Sequence, residues 1–185
     1  MGLSLGLGLS GPADDAGRSQ YHPRGIFESS SIMSLNAKVL DHFATSWLAG
    51  TPTLALLPGD WRDDASVIRQ REVASEVHRA AFPEQTWALK VPRLCLLLPF
   101  RRAVVEQQAA ALLVIRHPIE IARSLEARNA IPVNDGLAMW NYYLHAAVEN
   151  LSGVTVLVTE YEVALDGPRQ WCDSTAEWRD EVGVA

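Results

Sequence analysis

One segment constrains the fold more than any other: Ala111-Leu112-Leu113-Val114-Ile115-Arg116-His117-Pro118-Ile119-Glu120-Ile121-Ala122-Arg123-Ser124. The five apolar residues before Arg116 predict a strand buried on both faces. Pro118 suits the first helical position, where the N–H that proline lacks has no partner to lose. The segment is therefore expected to form strand, tight turn and helix. That unit puts Arg116 at the C-terminal end of the strand, the edge of a parallel sheet where ligands bind. Ser124 follows about two helical turns on. On the residues alone, Arg116 is either a grip for a phosphate or a sheet-edge cation in a surface ion pair.

The rest of the chain supplies a rhythm around this unit. Residues 1–25 are rich in Gly, Pro and Asp and predict an extended segment and loop. Ser29, Ser30 and Ser31 are candidate caps for a helix whose apolar face is Ile32, Leu35, Val39, Phe43 and Trp47. Asp63 or Asp64 caps a polar helix that runs to about Phe82, where Pro83 ends it. Thr86 to Lys90 reads as a short strand with an exit turn at Val91-Pro92-Arg93. Leu94 to Leu98 is apolar, with a break expected at Pro99 and a polar helix over 101–110. An amphipathic helix with Leu137, Trp140, Leu144, Ala147, Val148 and Leu151 on one side stops before Gly153. Val154 to Val158 is a second buried-strand run, and a last helix carries Trp171 and Trp178. The alternation predicts an α/β layered fold with a mainly parallel sheet flanked by helices, as one domain over residues 1–185.

Several separated pieces, in order, resemble the family of sulfotransferases that use 3′-phosphoadenosine-5′-phosphosulfate (PAPS), in particular bacterial sulfotransferase-like proteins. They are His22-Pro23-Arg24-Gly25-Ile26-Phe27-Glu28, Lys90-Val91-Pro92-Arg93, Arg116-His117-Pro118 with Ser124, Trp140-Asn141-Tyr142-Tyr143, and Thr159-Glu160-Tyr161-Glu162. The resemblance implies a P-loop-NTPase-like fold and transfer of a sulfuryl group from PAPS to a hydroxyl or amine of a small-molecule or glycan acceptor. It casts Glu28 and Lys90 as catalytic, Glu28 as the base for the acceptor proton. Arg116 and Ser124 become the binders of the 3′ phosphate of PAPS. Such chemistry needs a base, cations for the sulfuryl oxygens and anchors for the nucleotide. The residues alone leave bland alternatives: Glu28 as a helix-terminal carboxylate, and Lys90 and Arg24 as solvated charges.

One part of the family pattern has no counterpart. The family holds the 5′ phosphosulfate with a strand, a basic Gly-rich loop and a helix N-terminus. Gly6-Leu7-Gly8-Leu9-Ser10-Gly11 has the glycines but neither a basic residue nor a following helix. The expectation is a domain truncated at its N-terminus, missing the first strand and P-loop, with an unpaired strand edge and little transfer activity. The alternatives are a non-catalytic remnant or interaction module, or a kinase-like nucleotide-binding α/β protein.

Composition narrows the rest. A net charge of −6 with no basic block argues against a nucleic-acid or membrane-surface partner. Cys95 and Cys172 are too few and too far apart for a disulfide framework, so reduced thiols and a cytoplasmic location are expected. The spacing of the histidines and acids predicts no metal. No apolar run reaches the roughly 18 residues of a membrane span.

Overall fold

Side-chain caps set where the first two helices begin. In the computed structural model, which describes residues 7–18, 26–43, 56–84, 86–105 and 109–183, helix α1 spans Ser30–His42. Ser29 Oγ accepts from the Ile32 amide at 3.1 Å and caps it. Asp14 adds a carboxylate there, accepting from the Ser31 amide at 2.8 Å and its hydroxyl at 2.5 Å. Anions are favoured at that helix end. A 3-10 turn at Trp61–Asp63 leads to α2, Ala65–Ala81. Asp64 Oδ1 accepts from the Ser66 and Val67 amides and sets the start of α2.

Helix α3, Leu94–Arg102, runs through Pro99. Proline cannot donate to the carbonyl four residues back, and that carbonyl is Cys95 O. Asn150 Nδ2 donates to it instead, at 2.8 Å. The backbone group left by Pro99 is thereby satisfied, and the apolar face of α3 stays whole.

Strand β1, Ala110–Ile115, is followed by α4, Pro118–Asn129, and α5, Val133–Asn150. The chain then returns as β2, Thr155–Glu160, parallel to β1, with Leu112 opposite Leu157 and Ile115 opposite Glu160. Two helices, α6 at Tyr161–Asp166 and α7 at Pro168–Glu181, complete the order. Among the described residues the structure is α/β, mostly helical, with a two-stranded parallel sheet.

The core lies among the helices rather than on the sheet. Leu35, Val39 and Leu40 of α1 meet Val67 and Ala74 of α2 and Leu96, Leu97 and Phe100 of α3. Trp61 closes one side, and Tyr142 and Tyr143 of α5 pack against the cluster. Burial pushes the Tyr143 phenol up to about 12.

Four local expectations change. The strands are not buried on both faces: Leu112 is 38 %, Val114 45 % and Val158 56 % exposed. Thr86 to Lys90 forms a single bridge, Trp87 to Ser10, rather than a strand. Pro99 does not break the helix, which ends at Arg102, and β1 already begins at Ala110. His22, Arg24 and Trp47 lie outside the described residues.

Candidate functional site

The polar N-terminal segment brings two distant stretches together. Near its start, Ser10 donates to the Thr86 carbonyl at 3.1 Å and accepts from the Ala88 amide at 3.0 Å. Four to six residues on, Ala16 donates to the Glu28 carbonyl at 2.8 Å, and Ser30 donates to the Asp14 carbonyl at 3.1 Å. One extended strip thus holds the backbone before Lys90 and the backbone of Glu28 side by side. The result is an ion pair between Lys90 Nζ and Glu28 Oε1, 62 residues apart in sequence.

The two partners differ in environment. The Glu28 side chain is 8 % exposed, while that of Lys90 is 59 % exposed. The pair is therefore a buried carboxylate whose cation faces solvent. The residue before Glu28, Phe27, holds φ at 56°. A bulky side chain in the left-handed region is strained, and such strain collects where a structure fixes a side chain for use. Just beyond, Asp14 grips the start of α1. Burial pushes its carboxyl up, but the hydrogen bonds from the Ser31 side chain and amide and from Ser29 outweigh this and hold it below the usual range.

Arg116 stands where the sequence places it, just past β1, with Pro118 opening α4. Its Nε donates to Glu120 Oε2 at 2.9 Å, and the guanidinium lies 4.9 Å from the centre of the Tyr161 ring. The ion pair weighed from sequence is thus formed, between the residue before the N-cap of α4 and its first turn. The terminal guanidinium nitrogens form no hydrogen bond among the described residues. Ser124 is exposed on α4. No hydrogen bond or ion pair among the described residues joins Arg116 or Ser124 to Glu28 or Lys90.

No family model, curated protein or solved structure matches the chain. The site is therefore argued from its own chemistry. Sequence reasoning reached Glu28 and Lys90 but missed Asp14 and Phe27. Asp14 looked like part of a polar loop, and nothing in the letters marks a positive φ at phenylalanine.

Other features do not compete with this site. An open cleft of ≈ 440 Å³ is lined by Arg62, Pro99, Arg102, Glu149, Asn150 and Ser152, none of them an expected site residue. Among the described residues no group of His, Cys, Asp or Glu side chains is arranged to hold a metal ion. No described helix is long and apolar enough to cross a membrane.

Proposed function

We propose that Glu28 and Lys90 are the reacting pair of a sulfuryl-transfer site that takes PAPS as donor, with Arg116 and Ser124 binding its 3′ phosphate. The observation that carries this reading is the Glu28–Lys90 pair, assembled across 62 residues by the N-terminal strip. In the reaction, an acceptor hydroxyl loses its proton to the Glu28 carboxylate as its oxygen forms the new S–O bond. The bond from sulfur to the 5′ phosphate oxygen breaks, and 3′,5′-diphosphoadenosine leaves with the electron pair. Lys90 is suited to the sulfuryl oxygens because its ammonium is already solvent-exposed. A donor anion there competes with Glu28 for Lys90 and frees the carboxylate to act as base.

Arg116 fits a phosphate through its terminal nitrogens while Glu120 holds Nε. The same reading takes β1 and β2, parallel and joined through two helices, as part of a P-loop-like sheet. A second reading, a non-catalytic interaction module, is favoured by the neutralisation of Glu28 by Lys90 in the resting chain.

Calorimetry with 3′,5′-diphosphoadenosine separates the two. Binding by the parent chain that weakens at least tenfold in Arg116→Ala supports the sulfotransferase reading. No binding, or equal binding by both proteins, overturns it. Where sulfuryl transfer from PAPS is measurable, Glu28→Gln is expected to lower it by about a hundredfold or more, the range of a lost general base.

A further inference from the structure

Helices α1, α2 and α3 bury a polar cluster that carries positive charge and, among the described residues, no counter-charge. Arg101 is 2 % exposed, Asn36 0 % and His78 7 %. Arg101 Nη2 donates to Asn36 Oδ1 at 2.5 Å and, more weakly, to the Ile32 carbonyl at 3.4 Å. The contact fixes the Asn36 amide, because reversing it would set N–H against N–H. Four nitrogens are then left without a hydrogen-bond partner among the described residues: Arg101 Nε and Nη1, Asn36 Nδ2 and His78 Nδ1. Each belongs to a side chain more than nine-tenths buried.

The charge on Arg101 persists despite this burial. Desolvation lowers its pKa only to about 10, so it remains a cation at neutral pH. No carboxylate pairs with it among the described residues. Its other cation partner is a face of Phe100, with the ring centre 5.4 Å away. His78 faces Arg101 electrostatically and packs against Phe82 and Trp87, with ring centres at 5.2 and 4.6 Å. A buried ion without a partner is strongly unfavourable, and buried donors are normally satisfied. The cluster has the donors and the charge of an anion site, and no acceptor among the described residues meets those four nitrogens.

We propose that Arg101, Asn36 and His78 form a buried site for a small monovalent anion, such as chloride or formate. One negative charge balances the one guanidinium, whereas a divalent anion would leave an excess charge in a low-dielectric interior. Ile32, Leu97 and Phe100 are only 0–1 % exposed, and a close-packed interior of this kind suits a small ion rather than a bulky one. The site is independent of the sulfuryl-transfer reading.

Thermal unfolding of the full chain tests this in sodium chloride, sodium formate and sodium gluconate at equal ionic strength. General screening is then the same in all three, and gluconate is too bulky to enter. Chloride and formate are expected to raise Tm with the logarithm of their concentration above Kd, by about 5–11 °C when the free anion is roughly a hundredfold above its Kd. Asn36→Asp supplies a carboxylate against Arg101, and is expected to raise Tm in gluconate and to abolish the chloride response. Arg101→Met removes the cation and is expected to lose that response. If Arg101→Met does not fold, Asn36→Asp and chloride NMR line broadening by the parent decide. Identical melting of the parent in chloride and gluconate overturns the proposal. So does a chloride response that survives undiminished in either variant.

Discussion

At the residue scale, the ion pairs decide what each candidate can do. Lys90 closes on Glu28 and Glu120 closes on Arg116, so both expected sites rest with their charges occupied. The two pairs are unequal. Glu28 is buried and its position is held by the strip at Asp14–Ala16, whereas Glu120 is exposed and four residues on from Arg116. An exposed pair of this kind contributes at most about 1 kcal/mol, and the Glu120 carboxylate on Nε repels a phosphate brought to the terminal nitrogens. Glu120→Ala is therefore expected to raise affinity for 3′,5′-diphosphoadenosine two- to threefold in calorimetry, opposite in sign to Arg116→Ala. An unchanged or lower affinity in Glu120→Ala would mean that Glu120 orients Arg116 rather than competing for it. A surface ion pair at Arg116 was legible from its place at the strand end, though its partner, Glu120, was not named. The clamp by Asp14 was not legible, since its partner Ser31 is 17 residues away and nothing local distinguishes Asp14 from Asp15.

At the scale of elements, caps were legible and substitutes for missing hydrogen bonds were not. Ser29 and Asp64 stand where cap chemistry puts them, because each accepts from amides within three residues, and Pro118 opens α4 where its missing N–H has no partner to lose. Pro99 was misjudged because the group that rescues α3, Asn150, comes from 55 residues beyond Cys95. Asn150→Ala should leave the Cys95 carbonyl unpaired and lower stability by about 1–3 kcal/mol in urea unfolding. A variant as stable as the parent would show that α3 tolerates Pro99 without that bond. The α4–α5 contact has an equally specific requirement. A Cβ placed on Gly136 would stand 2.9 Å from Ala122 Cα, in backbone that cannot turn aside. Gly136→Ala should lower stability by about 1–3 kcal/mol through overpacking. The urea midpoint checks it, and an unchanged value would mean that α4 and α5 can separate without penalty.

At the scale of the whole molecule, the apolar runs at 111–115 and 154–158 announced strands, and the register is parallel as expected. What they could not announce is that the main core sits among α1, α2 and α3, leaving Leu112, Val114 and Val158 exposed. That helical core also sets the response to pH. Burial, and then the charge on Arg101, hold the His78 imidazole below its ordinary pKa of 6.5. Below about pH 6.5 the unfolded chain takes up a proton there that the folded chain resists. The stability is thus fully present above that pH and is lost as pH falls towards the lower folded value, at a limiting slope of about 1.4 kcal/mol per unit. Asp14 and Asp64 act further down: hydrogen bonds hold both below 3.8, so their contribution is present above that value and goes as pH drops through the folded one. The urea midpoint of the parent should therefore fall between pH 7 and 5.5, while His78→Gln, neutral throughout, stays flat over that window. Both proteins should then lose stability together below about pH 4, where the unfolded-state aspartates protonate. Parallel losses in parent and variant between pH 7 and 5.5 would assign the acid sensitivity to groups other than His78.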